Sequence, residues 1–167
     1  HPLFIPTYAF VLFFFTNSYL SYLITFKGKL IIVSIVFICS ALLPSFFLLF
    51  AHRKKIIEQL TMETREDRVL PYIIISLFYY LTYYLLRQLQ LPSLFDILYL
   101  LILGANMLIV ATLIINFWWK ISAHLVAIGG ITGAFISISY LIHLPMPWVI
   151  ISLFFIAGLT GFARLQL

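Results

Sequence analysis

Apolar residues follow one another for roughly twenty positions at a time in this chain, and the breaks between them are short. A bilayer crossing takes about 20 residues, so runs of this length point to a membrane rather than to a buried core helix. Six runs qualify: residues 3–26, 30–51, 69–86, 94–119, 120–142 and 147–163. Only 9% of the 167 residues are charged, where a soluble domain carries about 25%. A backbone exposed to lipid must satisfy its own hydrogen bonds, which makes each run a helix. The expected fold is all-α: a polytopic integral membrane helix bundle of about six transmembrane helices. It forms one transmembrane domain over residues 1–167, with a charged membrane-surface segment at 52–68.

Several classes of function fall away. The one cysteine, Cys39, excludes an intramolecular disulfide and a cysteine-based metal site. The net charge of +5 comes without a basic face interleaved with aromatics, so nucleic acid is not an expected partner. Membrane lipids with anionic headgroups suit the excess charge better. No Walker loop, dinucleotide-binding glycine pattern, HExxH or GxSxG is present, and no cofactor or metal is expected. Oligomeric state is not legible. The chain opens on His1 without an initiator Met, which points to a longer protein.

Two joints carry weak punctuation. The fourth and fifth runs abut at Trp118-Trp119-Lys120 with no Pro or Gly. A boundary is read there because a Trp pair suits a membrane interface and the combined run is too long for one crossing. The polar cluster Thr16-Asn17-Ser18 offers a break in the first run. Lys27-Gly28-Lys29, Gln88 to Ser93 and His143 to Pro147 read as short loops.

Counting crossings places the charges. From Arg68 the chain passes over and back to Lys120, then over and back again to Arg164. Arg68, Lys120, His124 and Arg164 therefore fall at one membrane face. Three cations and an imidazole at one end of a bundle describe an anion site.

The pair Lys120 and His124 is the sharpest signal. Four residues apart, they share one face of a helix, and ionisable groups set against hydrocarbon usually mark a function. With Ser122 between them and a helix N-terminus nearby, they favour an oxyanion or phosphate. The bland reading of His124 is a histidine hydrogen-bonded inside the bundle. Arg68 stands at the mouth of an apolar run with Pro71 in its first turn. Asp67 is a weak candidate to orient a cation. Arg65 and Glu66 read as a solvated, salt-bridged loop, and Arg164 alone would read as a snorkelling anchor. His52, Arg53, Lys54 and Lys55 read as interfacial charges that set orientation, and His143 as structural. Gly129, Gly130 and Gly133 suggest close helix packing, and Asn106, Thr112 and Asn116 interhelical hydrogen bonds.

Taken in order, these pieces resemble the type 2 phosphatidic acid phosphatase family, integral membrane enzymes that act on lipid phosphates. Its three motifs read Lys-x6-Arg-Pro, Pro-Ser-Gly-His and Ser-Arg-x5-His-x3-Asp. Ile121-Ser122-Ala123-His124 resembles the second, keeping Ser and His at the right spacing. Arg68 with Pro71 resembles the first, with two residues between them and Thr61 where the Lys would stand. Ala163-Arg164 resembles the third, with Ala for Ser. The resemblance spans residues 65–167.

It implies that His124 protonates the leaving alkoxide while Arg68, Ser122 and Arg164 hold phosphate oxygens. Lys120 is read as a substitute for the missing first-motif Lys. The motif's nucleophilic His would fall six residues after Arg164, beyond Leu167. The chain as given is then the core of a phosphatase without its nucleophile, acting in complete form on a phosphorylated lipid. A bacterial inner membrane is the implied setting. The competing expectation is a non-catalytic anionic-lipid binding or transport protein on the same scaffold. A structural membrane subunit is a third. The site face carries Arg53, Lys54, Lys55, Arg65, Arg68, Lys120 and Arg164 against Lys27, Lys29 and Arg87. Positive-inside counting puts that face in the cytoplasm. Without the three site residues the count is four against three, so both orientations stay open.

Overall fold

The computed structural model describes residues 2–16, 19–54, 65–92, 95–119 and 121–165. Every described element is helical. A short 3-10 turn, Pro2–Phe4, leads into α1 (Ile5–Phe15), followed by α2 (Tyr19–Leu23), α3 (Phe26–Phe37) and α4 (Leu43–Arg53). Then come α5 (Glu66–Gln88), α6 (Asp96–Asn116), α7 (Ala123–Leu141) and α8 (Pro147–Leu165). Four stretches are long and apolar enough to cross a membrane: Phe26–Arg53, Glu66–Gln88, Asp96–Asn116 and Ala123–Leu141. The apolar helices Pro2–Phe15 and Pro147–Ala163 are shorter.

The first apolar run is therefore not one helix over residues 3–26. It ends at Phe15, where the Thr16 backbone turns extended and the Thr16 hydroxyl donates to the Phe13 carbonyl at 2.6 Å. Lys27-Gly28-Lys29 is not a loop either, because Thr25 caps α3 and its hydroxyl oxygen accepts from the Gly28 N–H at 3.2 Å. A capping threonine outweighs the glycine as a boundary signal.

α3 and α4 are joined without a break by a π-helical stretch, Ile38–Leu42. Its cause is Pro44, which has no N–H to give and whose ring would crowd the Ser40 carbonyl in a plain α-helix. The Leu43 N–H reaches back five residues to the Ile38 carbonyl instead. Ser40 and Ala41, inside this stretch, are fully buried.

The main apolar core gathers Phe10 and Phe13 of α1, Ile32 and Val36 of α3, Leu98 and Ile102 of α6, and Phe135 and Ile138 of α7. The opposite faces expose Phe, Leu and Ile, as a bundle surrounded by hydrocarbon requires. α5 and α6 form an antiparallel pair, cross-linked by the Ser76 hydroxyl donating to Asn106 Oδ1 at 2.8 Å. α7 and α8 form another, with Gly161 placed so that a Cβ there would stand 3.7 Å from Leu125. The end of α8 thus lies beside the start of α7.

Candidate functional site

α5 and the linker between α6 and α7 meet at one end of the bundle. α6 stops at Asn116, and the chain turns through Trp118 and Trp119, both exposed, before α7 opens at Ala123. Linker carbonyls outside any helix need donors of their own, and here two arginines from α5 and its N-cap supply them. Arg65 Nη1 donates to the Trp118 carbonyl at 2.8 Å, and Arg68 Nη1 donates to the Ile121 carbonyl at 2.8 Å. In return Asn116 Nδ2 donates to the Arg65 carbonyl at 2.9 Å. Asn116 is buried, and among the described residues its Oδ1 has no partner. Arg65 is exposed, as its sequence context suggests, and its guanidinium also ties the start of α5 to the linker. Glu66 and Asp67, in the first turn of α5, suit the positive end of the helix dipole.

Pro71 is the sixth residue of α5 rather than part of its first turn, because the helix starts at Glu66. Arg68 stands one turn before Tyr72 on the same face, and its guanidinium hydrogen-bonds the Tyr72 hydroxyl. Two partners fix the guanidinium at the inner edge of the bundle.

Beside it opens a cavity of about 920 Å³. Arg68 and Tyr72 of α5 line it together with Ile121, Ser122, Ala123 and His124 at the start of α7. Ser122 takes the N-cap position of α7 with an extended backbone, and its hydroxyl makes no capping bond to the helix. Its carbonyl accepts from the Val126 N–H at 3.1 Å. A serine that does not cap its own helix leaves the N–H groups of the first turn available to an anion. His124 follows within that turn, half-buried.

Arg68, Ser122 and His124, from two different helices, therefore share one cavity. Arg164 is in the last turn of α8, one turn beyond Gly161, which abuts Leu125. Its helix reaches the site end, while its side chain lies outside the described residues, as does Lys120 altogether. α7 begins at Ala123, and the expected pairing of Lys120 with His124 lies outside the described residues. The linker, and not a helix face, carries residues 121 and 122 to the cavity.

Two other expectations change. Gly129 and Gly133 have open space where a Cβ would stand, so they do not serve close helix packing. Gly130 does, because a Cβ there would come within 2.5 Å of Leu108 Cδ2 on α6. Thr112 donates to the Leu108 carbonyl of its own helix, so only Asn106 and Asn116 of the three polar α6 residues bond between elements. His143 adopts a left-handed conformation (φ 50°) just past α7 with its ring 6.4 Å from that of Tyr140, which fits its structural reading. Tyr72 and Tyr79 on the cavity wall escaped notice, buried as they are in an aromatic-rich run.

No family model matches the chain, and neither curated proteins nor solved structures give a match.

Proposed function

We propose that this chain is the membrane core of a lipid-phosphate phosphatase, with the phosphate seated among Arg68, Ser122 and His124. One observation carries the reading: a cation, a hydroxyl and an imidazole from α5 and α7 converge on the same cavity at one end of an apolar bundle. A planar guanidinium suits two phosphate oxygens at once. The α7 N-terminus and the Ser122 hydroxyl add donors for a third. His124 is then placed to give a proton to the departing lipid alkoxide, the role of a general acid.

The resemblance to the type 2 phosphatidic acid phosphatases supports the same roles and adds Arg164 and Lys120 as further cations. It assigns the attack on phosphorus to an imidazole six residues past Arg164. In-line attack, neutralised equatorial oxygens and a protonated leaving group together satisfy phosphoryl transfer. In this reading all six apolar segments cross the bilayer, the two shorter ones included, in a bacterial inner membrane.

A second reading, binding of an anionic lipid without turnover, is favoured by the lining itself. Among the described lining residues His124 is the sole imidazole, and there is no carboxylate or thiol. Phosphate release from dioleoyl phosphatidic acid by the complete native protein separates the two. Release that disappears in His124→Ala, with the helical fold kept, supports the phosphatase. Lipid binding without release supports the binder. Full release in both His124→Ala and Arg68→Ala removes the site from either reading.

A further inference from the structure

The cavity does not end at the cationic mouth. Along α7 it is lined by Ala123, Ala127, Gly130, Ala134, Ile138 and Leu141. Steps of three and four residues keep one helix face, so this is a continuous strip from the first residue of α7 to its last. At 1.5 Å per residue the strip is about 27 Å long, close to the ~30 Å of a bilayer's hydrocarbon. Four of its six residues are Ala or Gly, which leaves the room to the cavity.

The opposing wall on α6 has Gly104 and Ala105. Because α6 and α7 are antiparallel and Gly130 abuts Leu108, Gly104 lies level with Ala134. A Cβ at Gly104 would meet nothing within 4 Å. Below the mouth the walls are apolar except for Tyr79, Thr112 and Ser137.

We propose that this cavity, half open along its length, takes one long hydrocarbon chain of its lipid, and that the depth of the chamber along α7 selects for chain length. This rests on the headgroup reading above. A free phosphate would use only the mouth, whereas apolar walls continuous with a cationic end match an amphiphile. The volume of about 920 Å³ lies near the top of the ~300–1,000 Å³ usual for small-molecule sites, which suits a large ligand. The chemistry shared by acyl and polyprenyl lipids is what the walls recognise.

The test is a ladder of ligands and a ladder of plugs. The complete protein in nanodiscs is titrated with geranyl, farnesyl and geranylgeranyl phosphate, and with dihexanoyl and dioleoyl phosphatidic acid. Ala134→Phe blocks the chamber deep, Ala127→Phe blocks it near the mouth, and Ile136→Phe on the exposed face is the control. Ala134→Phe is expected to weaken the longest chains about tenfold or more, as overpacking of a filled wall does, and to spare the shortest. Ala127→Phe moves the cut-off to shorter chains, and Ile136→Phe moves nothing. Gly104→Leu, on the facing wall at the depth of Ala134, repeats the Ala134→Phe pattern should the phenylalanine prevent folding.

The prenyl and acyl arms show which lipid class supplies the chain. Equal affinity for all chain lengths in every plugged variant overturns the chamber. If the parent protein ignores the phosphate group, the headgroup reading fails by itself. Geranylgeraniol binding that Ala134→Phe abolishes would then uphold the chamber alone, and its insensitivity to that change would overturn both.

Discussion

Arg68 Nη1 donates to the carbonyl of Ile121 at 2.8 Å, a bond between residues 53 positions apart in the chain. It joins the start of α5 to the linker that delivers Ser122 and His124. Arg65 and Asn116 flank it with bonds of their own, so the mouth of the cavity is tied by three hydrogen bonds between the same two segments.

Arg68 therefore ties the fold at the cavity mouth, and in the proposed reading it also holds the anion. Arg68→Ala is expected to destabilise the protein by about 1.5–3 kcal/mol, the range for hydrogen bonds to a charged group. Arg68→Lys is expected to recover part of the stability but little of the anion affinity, because an ammonium lacks the two-pronged geometry. Thermal unfolding in detergent and phosphate-lipid binding, measured on both variants, check the split. Equal loss of stability in the two would contradict it.

His124 lines the cavity, half-buried, and in the proposed reading it is the general acid. His124→Asn is expected to keep the thermal midpoint within a few degrees while lowering phosphate release by about 10²- to 10⁴-fold, the usual worth of a general acid. Lipid binding should persist. A variant that releases phosphate at the parent rate excludes His124 as the acid.

The Ser76–Asn106 bond is the main polar link described inside the α5–α6 pair. Asn106→Leu is expected to cost little, on the order of 0.6 kcal/mol, as interhelical hydrogen bonds in membranes average. Chemical or thermal unfolding of the reconstituted protein gives the value. A loss of several kcal/mol would mean that the bond orders more than this pair.

Two glycines on one helix should respond in opposite ways. Gly130→Leu drives a side chain into Leu108 and is expected to destabilise by about 1–3 kcal/mol, as overpacking does. Gly133→Leu, with open space around its Cβ, is expected to be neutral or mildly stabilising because glycine weakens a helix interior. Comparing the two melting temperatures decides it.

Gln90, exposed just past α5, holds φ at 47°. That left-handed conformation costs a side-chain-bearing residue about 1–2 kcal/mol, and glycine pays less. Gln90→Gly is expected to raise the melting temperature slightly. A fall would show that the glutamine side chain gives back more than the strain takes.

Much of the frame was legible in the sequence because hydropathy reports directly on lipid contact. The helices of the third to sixth runs lie within a few residues of the expected bounds, since Leu, Ile and Phe dominate each run. The first run breaks at Thr16, where the polar cluster Thr16-Asn17-Ser18 offered a stop and the Thr16 hydroxyl bonds back to the Phe13 carbonyl. Arg68, Ser122 and His124, singled out by charge placement and segment counting, line one cavity. The ties from α5 to the linker were not legible, because they join residues about fifty positions apart. The chamber was hidden for a related reason: Ala127 and Ala134 are ordinary helix formers, and only the arrangement of α6 opposite them gives their smallness a meaning.

The π-helical stretch before Pro44 has an angular consequence. The buried positions Ile32, Val36, Ser40, Pro44 and Leu48 recur every four residues. In an unbroken α-helix, at about 100° per residue, the twelve residues from Ile32 to Pro44 would drift by about 120°, and the far half would turn its buried face toward lipid. One residue absorbed by the wide turn takes back about 100° of that drift. Leu48, on the cavity wall, and Ala51 beyond it are thereby kept in phase with Ile32 and Val36. A single extra residue aims the second half of the longest helix.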